Sequence, residues 1–109
     1  MSVTVRDNPE ANRFEVFDGD DLAGFAEYRL HDQVIDFTHT EVDDAFAGRG
    51  LAGRLVGAAL DEVRGRGLAV RPYCPYVNKF IAKHEEYLDL VAAGDRAEFK
   101  LPAAGEGAQ

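Results

Sequence analysis

Cys74, His39 and Glu41, with a glycine-rich turn at residues 48–53, are the parts of this chain whose types and spacing could do chemistry. Cys74 precedes Pro75, and proline favours the first position of a helix, so the thiol falls at a helix cap. The positive end of a helix eases thiol ionisation, which makes Cys74 a candidate nucleophile or proton donor. The competing reading is a small buried cysteine that packs well. His39 is the natural base, because an unperturbed imidazole titrates near neutrality. Glu41, two residues on, shares its face of an extended strand and can orient the imidazole or attract a cation. Solvated strand residues would look the same. Gly48, Gly50 and Gly53 bracket a helix start with no Ser, Thr, Asp or Asn cap, so the first amides lack a local acceptor. With the helix dipole and no side chains in the way, such an end suits an anion, a diphosphate in particular. A glycine turn that merely opens a helix carries the same pattern.

These residues need elements to hold them. Alternation predicts short strands over 1–6 and 12–17, and Asp18-Gly19-Asp20-Asp21 reads as a tight hairpin turn. The return strand covers 22–30, a second turn follows at His31-Asp32-Gln33, and a further strand covers 34–42. Leu51, Leu55, Val56, Ala59, Leu60 and Val63 fall on one helical stripe, predicting a helix over 50–66 that Gly65 and Gly67 stop. Residues 68–71 form a short apolar strand closed by Pro72. Strand, helix, strand is a crossover unit, so this strand should lie parallel to 34–42. Residues 75–83 are helical again, 85–91 add a turn of helix, and 97–101 alternate as an edge strand. The fold class is α+β: a mixed sheet with an antiparallel meander, then a β-α-β crossover and short C-terminal helices. One domain spans 1–101, and the Ala/Gly-rich composition of 102–109 predicts a disordered tail.

Composition narrows the function classes. A chain of 109 residues is one domain with a core but little surplus. No run reaches membrane-spanning length and the first residues lack a signal-peptide block, so a cytoplasmic location and no membrane partner are expected. The single cysteine excludes an internal disulfide and a multi-cysteine zinc site. His31, His39 and His84 show no ligand spacing, so no metal is expected. Ser2 is the only serine, which argues against a Ser-His-Asp hydrolase. Twenty acidic against 12 basic residues give a net charge of −8, which repels nucleic acid and favours a cationic partner.

The turn also carries a family resemblance. Val42 closes a strand, and Phe46, Gly50, Leu51 and Ala52 fall in register with the acyl-CoA signature of the GCN5-related N-acetyltransferases. Ala47 stands where that family usually has Arg or Gln, which leaves backbone amides and Arg49 or Arg54 to meet the diphosphate. With His39-Thr-Glu-Val42 before the turn and residues 71–84 after it, the chain resembles the small single-domain members over residues 10–91. The resemblance implies a minimal acyl-CoA N-acyltransferase fold with acetyl-CoA as co-substrate. Acetyl transfer to an amine, cationic if the acidic charge balance selects it, would occur in one ternary complex. It further implies that Val42, Gly48, Arg49, Gly50, Leu51, Ala52, Gly53, Arg54, Asn78 and Lys79 bind the cofactor. Pantetheine would then pair with backbone near Glu41 and Val42, where two strands splay, and Cys74 and His39 would face that one gap. Full-length members usually have two helices between their first strands. The tight turn after Phe17 leaves no room for them, so a non-catalytic acyl-CoA sensor or carrier is the rival expectation. The third is an interaction domain that has kept the fold without the cofactor.

Overall fold

A computed structural model describes residues 2–102, so the tail expected from Pro102 lies, beyond that residue, outside the described part. Five strands form one mixed sheet in sequence order: β1 (Val3–Asn8), β2 (Arg13–Asp18), β3 (Asp21–His31), β4 (Val34–Val42) and β5 (Ala69–Pro72). The first four are antiparallel neighbours, while β5 runs parallel to β4. Short turns set this register. Asp18 pairs Asp21 across Gly19-Asp20, with Gly19 at φ 62°, and His31 pairs Val34 across Asp32-Gln33, with Asp32 at φ 54°. Both turns need a left-handed residue, and Gly and Asp take that conformation at low cost.

Helix α1 (Leu51–Gly65) follows the glycine turn and packs across all five strands. Its apolar stripe is the reason: Leu51, Leu55, Val56, Ala59, Leu60 and Val63 are all buried against the sheet. Truncating Leu55 or Leu60, both fully buried, would cost about 2–5 kcal/mol. The helix stops as its sequence predicts. Gly67 is left-handed at φ 71°, its N–H bonds Arg64 O, and the Leu68 N–H bonds Val63 O, the paired closure of a Schellman end.

Helix α2 (Pro75–Lys83) lies beside α1 over β4 and β5, with Val77 and Ile81 buried in the same core. The two helices run side by side from adjacent N-termini. A Cβ at Gly53 would meet Tyr76, one at Gly57 would meet Phe80, and Tyr87 beyond α2 donates to Asp61 further along α1. Small residues at an i, i+4 spacing are what allow that approach. Neither helix covers the opposite face of the sheet, which carries Arg13, Phe25, His39 and Glu41.

The chain after α2 departs from one expectation. Residues 85–90 form a 3-10 turn, close to the extra helical turn predicted at 85–91. Residues 97–101 are not an edge strand but hydrogen-bonded turns, with the Leu101 N–H on Arg96 O and Lys100 at φ 58°. The apolar alternation there is real, because Phe99 and Leu101 are both buried. A turn can present both to the core as a strand would, and the left-handed Lys100 rules the strand out.

Candidate active site

Strand β4 has two halves. Val34 to Phe37 pair with Ala69 to Pro72 of β5, and the Cys74 N–H extends that ladder to Phe37 O at 2.8 Å. Then the strands part. Residues 39–42 stay paired to β3, but 38–42 have no strand on the β5 side. Free N–H and C=O groups along a parted edge can be met by an extended amide-bearing ligand, as another strand would meet them.

A bulge sits at the parting. Glu27 pairs His39 while Tyr28 pairs Phe37, so Thr38 is the extra residue. An extra residue inverts the side-chain parity beyond it. Phe37 faces the core, yet Thr40 follows it inward, and His39 and Glu41 turn to the uncovered face. There His39 Nε2 lies 3.2 Å from Glu41 Oε1, and its ring is 6.2 Å from that of Phe25. Cys74 is on the inner side: the residue is 3 % exposed and its thiol donates to Thr40 Oγ1 at 3.3 Å. The structure therefore brings His39 to Glu41 and Cys74 to Thr40, but it does not bring His39 and Cys74 into one gap from one side. Thr40 is a contact that sequence reasoning missed, since strict alternation puts it on the wrong face.

The turn from β4 to α1 is built by Asp43, whose carboxylate accepts from the Ala45 N–H, and by two left-handed glycines, Gly48 at φ 82° and Gly50 at φ 72°. Gly50 is the α1 cap and offers no side-chain bond. Arg54 N–H to Gly50 O is the first bond of the helix, so among the described residues the N–H groups of 48–53 have no acceptor. Nothing lies within 4 Å of where a Cβ would stand on Gly48 or Gly50. This open end and the parted edge of β4 fit the diphosphate and the amide arm of a CoA molecule. Leu51 has only its backbone N–H to offer at this end, its side chain being buried in the core.

A groove of about 550 Å³ runs from this helix end between α1 and α2, lined by Gly50, Gly53, Arg54, Tyr76, Lys79, Phe80, Lys83 and His84. It separates the predicted cofactor residues. Arg54 and Lys79 line it, whereas Arg49 turns back to Asp18 at 2.8 Å and lies over the Phe46 ring. Asn78 is also turned away, its Nδ2 donating to Phe99 O at 2.9 Å, which ties the C-terminal turns to α2. Tyr76, Lys83 and His84 were missed, although Tyr76, Lys79, Phe80 and Lys83 follow the i, i+3, i+4, i+7 spacing of one helix face. Among the described residues no cluster of three His, Cys, Asp or Glu could hold a metal, and no helix is long and apolar enough to cross a membrane.

The chain is thus an α+β domain whose mixed sheet parts beside a bare, glycine-rich helix end. Residues 13–90 match the family model described as GCN5-related N-acetyl-transferase, and the chain belongs to that family. It is 41% identical over 59 residues to Protein NATD1 of Bos taurus, covering 52% of each chain, and 39% identical over the same length to Protein NATD1 of Homo sapiens, again 52% of each. The chain thus spans about half the length of the curated relatives it matches. A solution structure of a GCN5-like protein from Staphylococcus aureus superposes with a TM-score of 0.62 over 82% of this chain and 87% of that one, at 23% identity. That likeness shows the fold.

Proposed function

We propose that this domain transfers an acetyl group from acetyl-CoA to an amine while both are bound. The observation that carries the reading is the parted edge at 38–42 opening beside unbonded amides at 48–53. The strand edge offers donors and acceptors to an amide arm, and the helix end offers donors to a diphosphate. In the reaction the amine nitrogen attacks the thioester carbonyl, the C–N bond forms, the C–S bond breaks and CoA leaves as thiolate. His39, steered by Glu41, takes the proton released by the amine on the uncovered face. Cys74, on the inner side of the parting, gives a proton to the leaving thiolate. Alignment of the two substrates supplies much of the rate, on the order of 7–11 kcal/mol in favourable cases.

The acceptor we favour is cationic. Glu41, Asp43 and Asp44 follow one another around the end of β4, all exposed, on a chain of net charge −8. Polyamines or lysine peptides should outcompete neutral amines at low salt, with the preference shrinking as salt rises. The two-residue turn between β2 and β3 supports a second reading, acyl-CoA binding without transfer, because it leaves the acceptor side unenclosed. Incubation with labelled acetyl-CoA, alone and with pooled amines, separates the two. Amine-dependent CoA release supports transfer, binding without release supports the module, and no binding refutes both.

A further inference from the structure

In this acidic chain most arginines are already spoken for. Arg13, Arg49, Arg64, Arg66 and Arg71 each pair with a carboxylate. Arg54, Lys79 and Lys83 have no carboxylate partner among the described residues, and all three line the groove between α1 and α2. Three unpaired cations gathered in one concavity, on a protein of charge −8, call for a polyanion. The far end of the groove adds an aromatic element. The Phe80 and His84 rings are stacked at 4.0 Å and 20°, and His84 Nδ1 is 2.8 Å from Phe80 O, which fixes the imidazole in the stack. A flat, pre-ordered pair of rings beside lysines suits a base joined to phosphates.

Resting on the acyl-CoA reading above, we propose that the nucleotide end of CoA lies along α2, its purine against the Phe80–His84 stack and its ribose 3′-phosphate held by Lys83. Arg54 and Lys79, nearer the α1 end, are left to the diphosphate. Order along the groove follows from the helix: Lys83 is one turn beyond Lys79, about 6 Å further from the bare amides. The domain therefore distinguishes CoA from 3′-dephospho-CoA.

Calorimetry with these two ligands tests the assignment. The intact protein should bind CoA about tenfold or more tightly than 3′-dephospho-CoA, the scale of one charge-assisted contact. Lys83→Gln should bring CoA down to the dephospho level and leave 3′-dephospho-CoA unchanged. The purine contact is read with etheno-CoA, whose fluorescence is quenched by stacking and is unobscured because the chain has no tryptophan. His84→Ala should relieve the quenching and His84→Phe should restore it. Equal affinities for the two ligands in the intact protein, or equal weakening of both by Lys83→Gln, overturns the assignment while leaving CoA binding intact. Absence of any CoA binding overturns both the assignment and the reading beneath it.

Discussion

Gly53→Ala should make the protein more stable and a worse CoA binder at once. Gly53 sits in the first turn of α1 with ordinary helical geometry, so alanine meets no backbone strain. The added Cβ would lie 3.7 Å from the Tyr76 hydroxyl and 4.0 Å from the Phe80 ring, both ordinary contacts. Helix propensity then favours alanine by about 0.5–1 kcal/mol. At about 4–8 °C per kcal/mol for a domain of this size, Tm should rise by about 2–8 °C. The same methyl stands on the groove floor beside the unbonded amides. Keeping phosphate oxygens from one of these donors forfeits a charge-assisted bond of about 1.5–3 kcal/mol, a loss of about tenfold or more in affinity. Thermal melts followed by circular dichroism give the first quantity, and calorimetric titration with CoA gives the second. A pantetheine fragment lacking the diphosphate should bind both proteins alike. A stabilised Gly53→Ala protein with unchanged CoA affinity would show that no ligand approaches this helix end, and the reasoning would fail. Gly50→Val is a poorer probe, because its left-handed φ of 72° strains any β-branched residue before a ligand is considered.

Three further outcomes are expected. Arg54→Ala should weaken CoA about tenfold while Arg49→Ala should not, since Arg49 is engaged by Asp18; equal losses from the two would mean they act through folding. Cys74→Ala should lower kcat with CoA affinity held, and Cys74→Ser should recover less activity than packing, because serine keeps the bond to Thr40 but not the thiol. Wild-type turnover in Cys74→Ala, with no acetyl trapped on the parent by mass spectrometry, would make the residue a packing group. The hydrogen bond to Asp61, followed by burial, pushes the Tyr87 phenol up from 10.0 to about 12. A raised folded pKa gives stability that is complete below the unfolded pKa of about 10 and is lost as pH rises toward the folded one. Tyr87→Phe should therefore be less stable than the parent by denaturant titration at neutral pH and should converge with it near pH 12. A gap that persisted there would refute the linkage.

The frame of the domain was legible because local signals agreed. The turns at Gly19 and Asp32, the α1 stripe and its Gly67 stop each had a short-range cause, and a crossover helix required β5 to be parallel. Of the candidate site, the uncapped glycine opening of α1 was legible, at Gly48 and Gly50. His39 and Cys74 were expected on one gap because they lie at the ends of neighbouring parallel strands; the bulge at Thr38, which turns His39 to the other face, depends on the match with Glu27 and Tyr28, which no local pattern encodes. Arg49 is held by Asp18 from a hairpin far along the chain, a pairing equally invisible in sequence. Lys83 and His84 were recoverable. The helical spacing from Tyr76 names that face, and only the position of α1 beside it was missing. At 97–101 the apolar rhythm was read rightly and the backbone wrongly, since burial pattern alone does not distinguish a strand from a turn that tucks two side chains inward.

The divided pairing of β4 also sets a gradient of protection along a single strand. Amides at 34–37 are enclosed by neighbours on both sides, whereas at 38–42 the residues that do not bond β3 face a space with no strand across it. Hydrogen exchange should therefore change abruptly near Thr38, with slow and fast positions interleaved beyond it. A ligand that completes the edge would slow the fast positions and leave their neighbours unchanged. Because β3 already holds the other side, filling the edge need not move the strand, and the domain can register occupancy as lost opening rather than as altered shape.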